Sequence, residues 1–322
     1  MNRRKDVFVD LGTSFITLLE GGSVLTRQPN IGMFTSNRGR LELLSYGGAI
    51  VDSGFVEGAE IITPVVDGVL LNAEAQTLIL KQLFRDLRTK SVFDATRVYV
   101  ATSSALTALE QDELEKTFNK IGYRDVVLVE SVLATLPYLD YKTSLVAIYG
   151  GGSLEVGVVG KDGIVSACSL NIGGNAVTSK VIDYVYEKYN VKISKASAER
   201  LKTSVLSLTK DDLSSAEVSG RDIVDGRIKS VVVTGEMFRP SISELYLKTA
   251  DTVKALLTTI PARLVAPVRA EGLRLFGGGA EMRGLEDFLS QELGIAVTTV
   301  PSPGLAVVKG MSRLVSDGLF QL

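Results

Sequence analysis

The chain has 322 residues, 45% hydrophobic and 22% charged, with a formal net charge of −2, which suits two globular domains with ample core and gives no global field that favours nucleic acid. It has no histidine and one cysteine, Cys168. That excludes a Ser–His–Asp triad, a Cys–His pair, His-ligated metal and an internal disulfide, so any metal must be held by oxygen, as Mg²⁺ is.

No apolar run approaches the roughly 18 residues of a membrane span. The basic segment Met1–Asp6 runs straight into a strand without the apolar core of a secretion signal, so the expected location is the cytoplasm. Val7–Leu19 then reads as strand, small polar turn, strand. Further strands are predicted at Ser23–Met33 and Arg40–Ile50, and a loop at 52–61. Thr63–Gly68 is a turn opening a helix near Asn72–Arg88, with Ala75, Leu78, Ile79, Leu83 and Leu87 on one face. Thr96–Thr102 is a strand, Glu110–Ile121 an amphipathic helix stopped by Gly122, Asp125–Glu130 a buried strand, and Val132–Tyr138 the start of another helix.

Val146–Val159 places Gly150-Gly-Gly-Ser153 between two apolar runs. Glycine lacks the Cβ that obstructs a tight bend, and consecutive bare N–H groups form a concavity suited to phosphate. Alone, the stretch is equally an ordinary hairpin. The device recurs, however, at Asp10–Ser14 and at Leu273–Ala280, where a strand enters Gly277-Gly-Gly279 before a helix at Met282–Gln291. Three such turns imply one ligand gripped from several sides, although G-x-x-x-x-G-K-S/T and a helix-opening G-x-G-x-x-G are both absent. Between the last two turns lie a strand at Ile164–Asn171 and helices at Val177–Lys188 and Ser194–Leu206. A polar loop at Lys210–Ser219 and a hairpin of Arg221–Val224 with Arg227–Thr234 follow. The long helix Glu236–Ile260 is expected to break near Pro240, and Pro267–Leu275 leads into the third turn. Ile295–Val300 is the last strand and Pro303–Leu314 a closing helix. The order β-β-β-α-β-α-β-α of residues 6–138 restarts at 146, an internal duplication. It predicts an α/β fold of two similar lobes facing across a cleft.

In this order the motifs resemble the actin, DnaK-type chaperone and sugar-kinase superfamily, most closely its bacterial rod-shape (MreB) actins, over essentially the whole chain. Asp10–Thr13 and Gly150–Ser153 are similar to the two phosphate loops, and Gly277–Ala280 to the adenosine loop. Ala198–Lys202 resembles the helix covering the adenosine. Pro64–Val69 resembles R-P-x-x-D-G-V, with Thr63 for the arginine, and Ile172–Asn175 resembles I-G-G-D, with Asn for Asp. Ser219–Asp222 also fits. The resemblance implies duplicated actin-like (ribonuclease H-like) domains. Lobe I would be 1–145 plus 303–322, with a small subdomain at about 31–61, and lobe II 146–302, with one at about 182–239. It implies ATP with Mg²⁺ in the cleft. Gly12, Thr13, Ser14, Gly150, Gly151, Gly152 and Ser153 would hold the phosphates. Asp10 would orient the metal through water, and Glu199, Arg200, Lys202, Gly277, Gly278, Gly279 and Ala280 would surround the adenosine.

Two departures bear on chemistry. The family's aspartate two positions before the second loop is Ile148 here, and the water-positioning register holds Ser131 with Glu130 beside it. Phosphoryl transfer depends on positioning of nucleophile and metal, so binding with slow or absent hydrolysis is expected, in a head-to-tail homopolymer serving cell shape or intracellular organisation. A second actin homologue is a further candidate partner, and nucleic acid is not one. Val92 and Phe93, with Arg88, Lys90 and Arg3–Lys5 nearby, either touch an anionic membrane weakly or pack under the preceding helix. The other readings are a non-polymerising scaffold that keeps ATP as a structural ligand and a small-molecule kinase. The kinase is disfavoured because no cleft carboxylate beyond Asp10 and Glu130 stands out.

Overall fold

The computed structural model describes residues 5–50, 56–87 and 96–319. Apolar runs form the antiparallel strands β1 (Lys5–Leu11) and β2 (Phe15–Glu20), joined by the short bend at 12–14, and β3 (Ser23–Pro29) extends the pair. The run predicted as one strand at Ser23–Met33 is two. Asn30 interrupts it, because its backbone N–H and side-chain amide both turn to the first bend. The strand resumes as β4 (Gly32–Asn37), which pairs with β5 (Arg40–Tyr46) and β6 (Glu60–Ile62) in a small separate sheet. β5 stops at Tyr46 and a 3₁₀ turn covers Gly47–Ile50, so Arg40–Ile50 is only partly strand.

β7 (Val65–Val66) and β8 (Val69–Leu70) flank a turn at Asp67-Gly68. Helix α1 (Ala73–Asp86) follows, with the Asn72 side chain accepting from the Ala75 N–H as a cap. β9 (Thr96–Thr102), α2 (Ala108–Lys120) and β10 (Asp125–Glu130) complete the first half, α2 opening on a Thr107–Glu110 capping box. Leu133–Tyr138, expected to start an α-helix, is a 3₁₀ segment with Pro137 inside it, and proline cannot supply the N–H that an α-helix would need there.

The second half begins with β11 (Ser144–Tyr149), β12 (Leu154–Gly160) and β13 (Gly163–Leu170). Then come α3 (Gly174–Tyr189), β14 (Val191–Lys192), α4 (Lys195–Ser204), β15 (Ser215–Asp222) and β16 (Ile228–Thr234). β15 begins inside the segment expected to be loop. Its side chains alternate in exposure and only Val218 is buried, so its polar composition is that of a one-faced strand. α5 (Gly235–Thr259) passes Pro240 without a break, because a proline near a helix start removes one bond of a long ladder. α6 (Ala262–Glu271) occupies most of the stretch read as an approach to a strand. The chain closes with β17 (Leu273–Phe276), α7 (Leu285–Leu293), β18 (Val297–Thr299) and α8 (Pro303–Ser316).

The two five-stranded sheets have the orders β10-β9-β1-β2-β3 and β18-β17-β11-β12-β13. In each, three parallel strands continue into two antiparallel ones, so the duplication read from element order is present in strand topology. One apolar cluster joins the halves. Phe8, Tyr99 and Val129 of the first sheet meet Val146, Ile148 and Phe276 of the second, and Val308 and Met311 of α8 close it. Full burial of each of those two α8 side chains stabilises the fold by about 2 kcal/mol. α8 also rests on the 3₁₀ segment at 133–138. Gly310 makes the approach possible, since a Cβ there would stand 1.8 Å from the Ala134 carbonyl oxygen. Gly310→Ala is expected to cost about 3 kcal/mol through overpacking, read as a lower urea midpoint with an unchanged slope.

Candidate functional site

The bend after β1, the Asp67-Gly68 turn, the bend after β11 and the glycines after β17 converge on one cleft between the two sheets. The Gly68 N–H donates to Thr13 Oγ1 at 3.0 Å. Gly152 has no room for a side chain, because a Cβ there would lie 2.6 Å from Asp67 Cα.

The peptide planes of the two bends are oriented by what their carbonyls bond. Gly173, Gly174 and Asn175, at the start of α3, donate to the carbonyls of Gly152, Gly150 and Gly151 at 3.2, 2.9 and 2.7 Å. On the other side, the Asn30 N–H donates to the Ser14 carbonyl at 3.0 Å and its side-chain amide to the Gly12 carbonyl at 2.9 Å. In a planar trans peptide the C=O and the following N–H point in opposite directions. The N–H groups of Gly151, Gly152 and Ser153 therefore face away from α3, and that of Thr13 faces away from Asn30. Among the described residues these four, with the Ser14 N–H, have no acceptor. The Gly12 and Gly150 amides differ. They close their own turns, on the carbonyls of Phe15 at 3.0 Å and Ser153 at 2.8 Å.

Asp10 reaches the cleft from the end of β1. Burial raises its carboxyl to about 6, against a pull downward from Arg27. Arg27 was not singled out by sequence. It stands opposite Thr17 in the β2–β3 register and stacks its guanidinium 3.9 Å from the Phe15 ring centroid, at the rim of the cleft. A lone arginine on a polar edge strand carries no sequence signal.

Ser131 lines the cleft, but its hydroxyl and its N–H both donate to the Thr102 carbonyl, at 3.0 and 2.8 Å. Glu130, raised by burial, ends β10 and is not among the lining residues. The lining carboxylate that sequence reading missed is Glu155. It pairs with Ile148 across the β11–β12 hairpin, is 6% exposed, and accepts from the Ser104 N–H at 3.5 Å and from the Ser103 hydroxyl. Burial pushes it to about 7. It was findable by counting outward from the turn: 149 faces 154, so 148 faces 155.

The expected adenosine residues divide. Gly277 and Gly278 line the cleft, Gly279 lines a smaller hollow with Tyr149 and Gly174, and Ala280 is buried. On α4, Lys202 binds Glu199 at 2.7 Å, Thr178 Oγ1 at 3.0 Å and the Gly174 carbonyl at 3.2 Å, and the Thr178 hydroxyl also donates to Glu199. Arg200 donates to Ser197. Lys202 and Glu199 are thus tied to the start of α3 and Arg200 to its own helix, and none of the three lines the cleft. Val92 and Phe93 lie outside the described residues. Among the described residues, no three acidic or cysteine side chains are grouped to hold a metal, and no helix is long and apolar enough to cross a membrane.

A family model described as MreB/Mbl protein matches residues 4–318. The cell shape-determining protein Mbl of Bacillus subtilis is 23% identical, over 97% of this chain and 96% of its own length. The crystal structure of MreB 5 of Spiroplasma citri bound to AMPPNP superposes with a TM-score of 0.90 at 24% identity, covering 98% of this chain and 97% of that one. The MamK double helical filament gives a TM-score of 0.82 at 18% identity, covering 98% and 99%. The fold is actin-like.

Glu155 and Asp10 make stability fall with rising pH. Each has a folded value above its ordinary one, 4.5 and 3.8 respectively, so the unfolded chain loses its proton first. Their contribution is complete below the ordinary values and is lost through about 6 for Asp10 and about 7 for Glu155. Melting temperatures of the nucleotide-free protein should therefore drop between pH 6 and 7, and Glu155→Gln should flatten that interval.

Proposed function

The chain belongs to the MreB/Mbl protein family, and on that premise we propose that it is an ATP-binding, filament-forming actin of the bacterial cytoskeleton with slow hydrolysis, acting in cell shape or intracellular organisation. The observation that carries the reading is the pair of bends whose N–H groups are turned into one cleft from opposite sides. Thr13 and Ser14 on one lobe, and Gly151, Gly152 and Ser153 on the other, offer convergent donors to a triphosphate. The amides of Gly12 and Gly150 serve the turns themselves. The lobes run 1–145 plus 303–322 and 146–302, with the small sheets as their subdomains.

Mg²⁺ fits the donor set. Asp10 is a half-buried carboxylate without an ion pair among the described residues, and one carboxylate acting through water, with phosphate oxygens, is how Mg²⁺ is usually held. The ion would neutralise charge on the phosphates. Gly277–Ala280 would accept the adenosine. Lys202 and Glu199 border that space and would need to exchange their present partners to touch it. The Ser131 hydroxyl donates to the Thr102 carbonyl and, being neutral, is a far weaker base than a carboxylate, so it would not replace one in taking a proton from water, and Ile148 offers no metal-side carboxylate. Self-assembly is supported by the actin-like fold shared with a protein solved as a filament. The cytoplasm, with weak contact to anionic membrane, completes the proposal.

Gly152→Ala should weaken binding of a fluorescent ATP analogue by about tenfold or more, since about 1.4 kcal/mol of displacement at the turn suffices. Equal affinity in the variant would remove the second bend from the site. The protein should pellet with ATP and not without nucleotide, with filaments visible in negative stain. A monomer by light scattering at high concentration under both conditions would instead identify a scaffold of this fold.

A further inference from the structure

We propose that Glu155 is the base that positions and deprotonates the attacking water in this chain, a role that rests on the nucleotide reading above. Three observations support it. In an antiparallel pair, directly opposed residues project from the same face. Glu155 therefore emerges beside Ile148, the position from which the expected carboxylate is missing, and does so just beyond the bend at 150–153. Its neighbour there is apolar and 8% exposed, which excludes bulk water. Finally, three other groups of the cleft are engaged, and Glu130 is not among the lining residues. Glu110 caps α2 by accepting both the N–H and the hydroxyl of Thr107, Ser131 donates to Thr102, and Asp10 faces the proposed cation.

One Glu155 oxygen is held by Ser104, and the Ser103 hydroxyl also donates to the carboxylate. Both donors lie in the loop after β9, so the first lobe aims a carboxylate carried by the second. In the step, the water oxygen bonds to the γ-phosphorus as the bond from that phosphorus to its bridging oxygen breaks. The electron pair of the broken bond leaves on ADP. The water proton passes to Glu155 and then to solvent, giving ADP, phosphate and one proton. A base near neutrality suits this work.

The test compares wild type, Glu155→Gln and Glu155→Asp. Glutamine still accepts from Ser104 but takes no proton, so a purely structural latch survives in it. Affinity for AMPPNP is measured first. Wild type should bind more weakly as pH rises through about 7, because ionised Glu155 faces the terminal phosphate, and Glu155→Gln should lose that portion. Asp10 on β1, Arg27 on β3 and Glu110 on α2 also line this cleft, Glu130 on β10 acts on Glu155 through its charge from outside the lining, and all four remain in both proteins. Single-turnover hydrolysis should fall about 100-fold in Glu155→Gln and recover in part in Glu155→Asp. Wild type should also gain rate with pH through the same interval. Hydrolysis by Glu155→Gln at the wild-type rate overturns the proposal, as does a wild type that binds ATP and never hydrolyses it, and in both cases the nucleotide reading stands. Absence of any nucleotide binding removes both. Should Glu155→Gln not fold, a wild-type rate flat from pH 6 to 8.5 overturns it.

Discussion

The site depends on the three hydrogen bonds from the start of α3 to the carbonyls of Gly150, Gly151 and Gly152. A glycine turn by itself has no preferred direction for its amides, since glycine populates more of backbone space than any other residue. Once three successive carbonyls are drawn to one helix end, peptide planarity sends the amides the other way. The helix start contributes its unsatisfied N–H groups, which need acceptors in any case. Asn30 does the same for the first bend with one backbone and one side-chain donor. The amide-lined surface of the cleft is thus set by residues that need not face it.

The duplicated sheets explain why two such bends face each other. Each lies between the first and second strands of its own sheet, at equivalent places in the same strand order. The apolar cluster shared by both sheets and α8 brings those places together. The Asp67-Gly68 turn then packs against the second bend from the first lobe, so Thr13, Asp67 and Gly152 form one contact across the cleft. A ligand that enters between the bends must separate or reorient these groups.

The substituted chemistry positions illustrate how a hairpin offers two routes to one point. A strand without a carboxylate leaves a face that the partner strand also reaches. Ile148 and Glu155 share that face, and the apolar member raises the proton affinity of the acidic one by excluding water.

Much of this was legible in the residues alone. Apolar periodicity and glycine placement are local, so the strands Thr96–Thr102 and Asp125–Glu130, the helix starts near Asn72 and at Ser194, the duplication and the three glycine turns followed from them. Misreadings occurred where a distant partner overrides local preference. Asn30 splits a strand because it serves a bend 16 to 18 positions earlier, β15 is polar because only one face is covered, and α5 runs through Pro240 because its remaining ladder and packing outweigh one lost bond. Which amides of a glycine turn are free, whether Ser131 has a hydroxyl proton to spare, and that Glu155 stands beside Ile148 are matters of pairing across space. Hydrogen bonds are satisfied by whatever the fold brings near, and only the assembled chain decides that.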